Sequence, residues 1–203
     1  ILANKSKVLW NDEYLKSFTE ELIQSDTSTS KSLVFWYEDD NGDLKISRHI
    51  FVSRTLPALG VRNLILGKDL QGMDTALPVF INGNRVEEIT PEVLKSITFK
   101  VIDYYGELTG DTDTAEEVRT ALGFSKQIFE KTGLRTIPDL YDKTPLTDTP
   151  DCAIRTFING YVEVTKEGVS PLRDYSELPE DKIIWNNSVI NREYLTATDV
   201  TAS

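Results

Sequence analysis

The chain has 203 residues with 33 acidic against 22 basic side chains, giving a formal net charge of −11. Affinity for phosphates grows with the Lys and Arg that neutralise them, so this balance excludes a broad nucleic-acid-coating surface and confines any such contact to a local face. One cysteine and one histidine exclude a disulfide framework and a cysteine–histidine zinc cage. No apolar run reaches the roughly 20 residues that cross a bilayer.

A hydrophobic fraction of 39% with 27% charged residues is the composition of a folded chain. The single thiol favours a reducing compartment, with the cytoplasm as the expected location. Starting at Ile1 instead of Met suggests a segment of a longer protein.

In chain order, Leu15, Phe18 and Leu22 recur at intervals of three and four with Ile23 beside them, which predicts a helix capped by Asn11 or Asp12. A polar loop follows over 25–31. Residues 33–52 alternate about Asn41-Gly42, the signal for a hairpin with a type I′ turn, and place His49 in its second strand. Residues 50–60 continue into a short helix limited by Pro57 and Gly60.

A second hairpin about Asn82-Gly83 leads into a helix that Thr90 caps and Pro91 opens, with Leu94, Ile97, Val101 and Ile102 on its apolar face. One or two helices follow over 114–133, with Gly133 as their stop. A proline-bearing connection leads to three or four strands after residue 152, with Cys152 entering the first and turns at Asn159-Gly160 and Glu167-Gly168. Phe-Ile-Asn-Gly occurs at 80–83 and 157–160, either as a weak repeat or as shared turn chemistry. The expected class is α+β: hairpins packed on helices, a winged-helix-like first half as one form of it, and a small β-rich C-terminal part. The expected division is 1–110 and 111–203.

The chemistry of a self-sufficient enzyme is missing from the pattern. There is no phosphate-cradling glycine loop ending in Lys and Ser or Thr. His49 alone would have to serve any nucleophile. The acids at Asp39, Asp40 and Asp43 read as an exposed turn, and those at Asp111, Asp113, Glu116 and Glu117 as a helix start, in preference to cation sites. The local excess of positive charge runs through Lys45, Arg48, Arg54, Arg62 and Lys68, a stripe able to lie along a nucleic-acid backbone, or a solvated face of an acidic protein.

Two phrases give the sequence a family likeness. One is VFINGNRVEEITPEVLKSITFKVIDYYGEL; the other is a Phe-x-Asn-Gly hairpin, a Tyr-x-x-Leu step, a Trp-bearing strand and an acidic-aromatic pair, at Phe157, Asn159, Gly160, Tyr175, Leu178, Trp185, Glu193 and Tyr194. Over residues 33–105 and 117–195 the chain resembles the region immediately upstream of the ATPase motor in phage or mobile-element primase-helicases of the superfamily-three, poxvirus-like type. The resemblance implies a non-catalytic accessory domain that positions the motor and contacts DNA or neighbouring subunits of a ring. ATP and magnesium would serve the motor and not this region. The rival expectation is a structural or protein-interaction domain without DNA binding.

Overall fold

The computed structural model describes residues 9–26, 31–68 and 70–195. Helix α1 is Asp12–Ser25, and the Asn11 side chain accepts from the Tyr14 amide at 2.8 Å, filling one of the bonding vacancies that every helix start leaves. Strands β1 (Trp36–Glu38) and β2 (Leu44–Ile46) form the first hairpin. Its turn is not a two-residue type I′: that would need positive φ at both central residues, and of Asn41 and Gly42 only Gly42 has it, at 80°. Instead the Asp39 carboxylate accepts from the amides of Asn41 (2.9 Å) and Asp43 (3.0 Å), bracing a longer loop over 39–43.

Residues 48–58 are helical and not a strand. The run is α2 (Arg48–Ile50), a π turn at Phe51–Thr55 and α3 (Leu56–Ala58). Phe51, Val52, Thr55, Leu56 and Leu59 are buried at helical and not alternating spacing, which moves His49 from the expected strand onto an exposed helical turn. The π turn closes with Leu56 donating to the Phe51 carbonyl, just ahead of Pro57, which has no amide to give.

Strand β3 (Val61–Lys68), which the sequence pattern does not predict, pairs antiparallel with β4 (Asp74–Asn82). Strand β5 (Arg85–Glu88) follows a turn in which Gly83 takes a φ of 60°. Helix α4 (Pro91–Thr109) starts as its sequence dictates, with the Thr90 hydroxyl accepting from the Val93 amide, and ends at left-handed Gly110. Helix α5 (Thr112–Phe124) is capped by Asp111, which accepts from the Thr114 amide at 3.1 Å.

The helical run expected over 114–133 is broken after Phe124, and Gly133 lies inside its last helix instead of stopping it. A 3-10 turn at Lys126–Ile128 and α6 (Lys131–Leu134) follow, and Gly133 packs so closely that a Cβ there would stand 2.6 Å from the Gln127 carbonyl oxygen. The remaining strands are β6 (Asp139–Leu140), β7 (Thr144–Pro145), β8 (Cys152–Phe157), β9 (Gly160–Thr165), β10 (Gly168–Val169) and β11 (Lys182–Trp185).

The fold is mixed α+β, with a six-stranded mixed sheet, a hairpin and a small C-terminal antiparallel sheet. It divides into two compact units. One comprises 10–80 and 88–141, so the helices on either side of position 110 belong together; the other comprises 1–9, 81–87 and 142–203. In the first unit α1, α4 and α5 bury Leu15, Leu22, Leu94, Ile102 and Leu122, and Phe51 lies between the rings of Phe35 (4.7 Å) and Phe129 (5.9 Å). There β4 and β6 flank β3, β6 in parallel.

In the second unit β11 lies parallel to both β5 and β7, and β8, β9 and β10 form the small sheet. The two Phe-Ile-Asn-Gly words differ in register: Phe80 to Asn82 close β4 before the turn, whereas Phe157 ends β8 and Gly160 already begins β9. Gly83 and Gly160 also differ in φ, at 60° and 147°, so the two words do not build the same turn.

Candidate functional site

The five cations of the stripe lie in the first unit and do not share a face. Lys45, on β2, is engaged by Asp39 (3.5 Å) and Asp43 (3.3 Å), the acids of its own hairpin loop. Arg62 is half-buried and donates to its neighbour's carbonyl at Val61 (2.9 Å); burial pushes its pKa down, the sign of a cation drawn partly out of water. Cross-strand partners share a face, and Arg62 stands opposite Val79 while Lys68 stands opposite Asp74. Val79 and Asp74 are an odd number of positions apart on β4, so Arg62 and Lys68 point to opposite faces, the switch on β3 being the irregularity between Ile65 and Gly67.

Six positions of α-helix leave two side chains about 120° apart. Arg48 and Arg54 therefore point to different sides, and the π turn between them widens the offset.

What the fold does assemble is a hollow of about 420 Å³ lined by Arg48, His49, Val52, Ser53 and Thr136. Its helical wall is fixed by sequence-local chemistry. The Ser47 hydroxyl accepts from the Ile50 amide, the Ser47 amide donates to the Phe35 carbonyl (2.7 Å), and Phe51 and Val52 are sunk in the core. That leaves Arg48 and His49 on the outside.

The opposite wall is fixed from a distance. Asn63, buried on β3, donates through Nδ2 to the carbonyls of Leu134 (3.1 Å) and Ile137 (2.9 Å), clamping the loop that carries Thr136. Arg48 makes no ion pair among the described residues, and no acidic side chain lines the hollow. Thr136 carried no signal in the sequence, because only the Asn63 clamp brings it to Arg48.

Several other cations of the first unit are engaged by rings and acids. Lys16 lies over the Tyr104 ring (5.0 Å), and Lys95 (5.3 Å) and Arg119 (4.8 Å) lie over Phe99. Lys100 pairs with Asp12 (2.8 Å) and Arg119 with Asp103 (2.5 Å). The close spacing of Lys95 and Phe99 on one helix face was the signal for this network, which interleaves cations with acids and braces α1, α4 and α5.

No family model, curated protein or solved structure matches the chain.

In the second unit, the residues of the Phe-x-Asn-Gly phrase form one packed ensemble. Asn159 closes a pair of hydrogen bonds with Tyr194, donating to its carbonyl (3.2 Å) and accepting from its amide (2.9 Å), while the Phe157 and Tyr194 rings lie 5.1 Å apart. The Tyr175 hydroxyl donates to the Phe157 carbonyl at 2.5 Å. Leu178 is buried with Tyr161, Ile184 and Val189, and Tyr175 packs on that cluster. Beside it Arg85 donates to the Asn186 side-chain oxygen, and Asn186 in turn donates to Glu87 at 2.8 Å. The phrase thus describes side chains that hold a fold together.

Proposed function

We propose that this chain is a non-catalytic accessory domain of a phage-type DNA replication primase-helicase, one that positions an ATPase motor and touches DNA or neighbouring subunits. The observation that carries the reading is the Phe-x-Asn-Gly ensemble: residues scattered from Phe157 to Tyr194, which form the family phrase, converge on one hydrogen-bonded cluster. A phrase in which Phe157, Asn159, Gly160, Tyr175, Leu178 and Tyr194 serve packing fits a region that positions other parts. The DNA contact rests on Arg48, the exposed member of the stripe at the hollow.

A second reading, a protein-interaction domain that does not bind DNA, draws on three exposed apolar side chains of the β3–β4 arm, Leu66 (52%), Leu70 (101%) and Met73 (66%), and on the acids that engage Lys45. Exposed apolar clusters mark surfaces that bind partners.

Titration with labelled single-stranded and duplex DNA at low salt separates the two. The first reading expects weak, strongly salt-dependent binding; no binding to either, by a chain of intact circular dichroism, refutes its DNA contact and leaves the interaction domain. The purified chain is expected not to turn over ATP, because its sequence lacks a phosphate loop. Turnover that follows the protein peak through repurification overturns the non-catalytic assignment.

A further inference from the structure

We infer that the hollow lined by Arg48, His49, Val52, Ser53 and Thr136 seats one unpaired nucleotide of single-stranded DNA. The inference rests on the DNA-contacting reading above and specifies its ligand and its place. The size agrees: about 420 Å³ is in the range of small-ligand sites and far too small for a duplex.

The chemistry of the walls is mixed in a way that a nucleotide matches. Arg48 supplies an exposed cation for the phosphate, suited to its oxygens by the planar fork of the guanidinium. Val52, 4% exposed, supplies an apolar floor for the face of a base or sugar.

The two hydroxyls decide between paired and unpaired bases. Ser53 Oγ donates its proton to the His49 carbonyl (2.7 Å), and Thr136 Oγ1 donates its own to the Gly133 carbonyl (2.8 Å). In these bonds each oxygen keeps its lone pairs and can accept, and both residues line the hollow. A backbone phosphodiester offers acceptors only and finds no donor in hydroxyls engaged in this way. An unpaired base offers ring or amino N–H donors on its Watson–Crick edge, which a duplex spends on pairing. An anion, an apolar face and free donors occur together in a nucleotide of a single strand.

The lone histidine makes the test direct, since the chain has one imidazole to observe. The full chain is titrated with a mixed-sequence single strand of about 12 nucleotides, within the range that single-strand sites span, and separately with the corresponding duplex. The His49 ring protons are followed by NMR and the affinity by anisotropy. The single strand is expected to shift the His49 resonances to saturation while the duplex leaves them in place.

Arg48→Ala, an exposed position at which the fold survives, is expected to weaken single-strand binding about tenfold and to flatten the logarithmic salt slope by about 0.7. Thr136→Val, which keeps the shape and removes an acceptor, is expected to weaken it by less. A strand that binds without moving His49, or as tightly after Arg48→Ala, overturns the hollow as the seat while the DNA-contacting function stands. A duplex that moves His49 equally overturns the choice of single strands. No binding to either probe removes both the site and the DNA contact.

Discussion

Two glycines with the same backbone and different surroundings measure how tightly the Phe-x-Asn-Gly ensemble is built. Gly160 and Gly168 take φ values of 147° and 138°, a region that L side chains rarely enter. Replacing either by Ala costs about 1–3 kcal/mol in backbone strain. Around Gly168 a Cβ meets nothing within 4 Å, whereas at Gly160 it would stand 2.2 Å from the Arg173 carbonyl oxygen and 3.0 Å from Leu172 Cδ1.

That carbonyl is half of a reciprocal pair: Tyr161 donates to Arg173 and Arg173 to Tyr161, each at 2.9 Å. Pushing the Arg173 segment away forfeits two hydrogen bonds of about 1 kcal/mol each. Gly160→Ala is therefore expected to cost about 3–5 kcal/mol and Gly168→Ala about 1–3 kcal/mol. Thermal unfolding followed by near-ultraviolet circular dichroism reads the difference; for a chain of this length 1 kcal/mol moves Tm by about 2–4 °C. Equal losses at the two positions, or a larger one at Gly168, would refute the close approach at Gly160.

Asn63→Ala is expected to cost about 2–4 kcal/mol in urea unfolding, because the Ile137 carbonyl loses the Asn63 donor and the Leu134 carbonyl keeps only the Ile137 amide; a loss below about 1 kcal/mol would sink the clamp that holds Thr136. Burial pushes the Tyr175 hydroxyl up to about 12, so the unfolded chain releases that proton first, near the ordinary value of about 10. Stability is then complete below about pH 10 and falls as the pH climbs towards 12; Tyr175→Phe is expected to make alkaline unfolding less steep in that window, and an unchanged profile counts against it. Asn159→Ala is expected to speed hydrogen exchange at the Tyr194 amide, whose acceptor it removes, and unaltered protection there would contradict the pairing.

The local signals in the sequence were those that act over a few residues. Asn11, Thr90 and Asp111 cap helices by reaching amides three positions on, so spacing alone located α1 and α4. Strand β3 escaped because it opens Val-Arg-Asn-Leu-Ile-Leu, in which both Asn63 and Leu64 are buried, so the alternation that marks a half-buried strand is broken. The run around His49 looked like a strand because Ile50, Phe51 and Val52 are residues that strands favour; burial of Phe51, Thr55, Leu56 and Leu59 on one side overrode that preference.

The cationic stripe was contiguous in the sequence and not in space, since a π turn and a strand irregularity each rotate part of it away. The hollow was half legible. Arg48 and His49 stood out by charge and rarity, while Thr136 depends on a hydrogen bond from Asn63, 71 residues from Leu134 in the chain.

The interleaving of the two units sets limits on how the gene can be cut. The backbone passes from one unit to the other at 9–10, 80–81, 87–88 and 141–142. Neither unit is a continuous stretch that recombination could transplant. A segment beginning at 142 would arrive without the 81–87 hairpin, and β11 would lose the partner to which Ile184 donates at the Asn84 carbonyl (2.8 Å) and beside which Trp185 lies level with Val86. Such a piece would present an unpaired parallel edge, an invitation to aggregate. Insertions, tags and chimeric junctions that respect both units belong at exposed loop tips such as Leu70–Gly72, and any exchange of this architecture between genes has to carry residues 10–141 and the strands beyond them as one block.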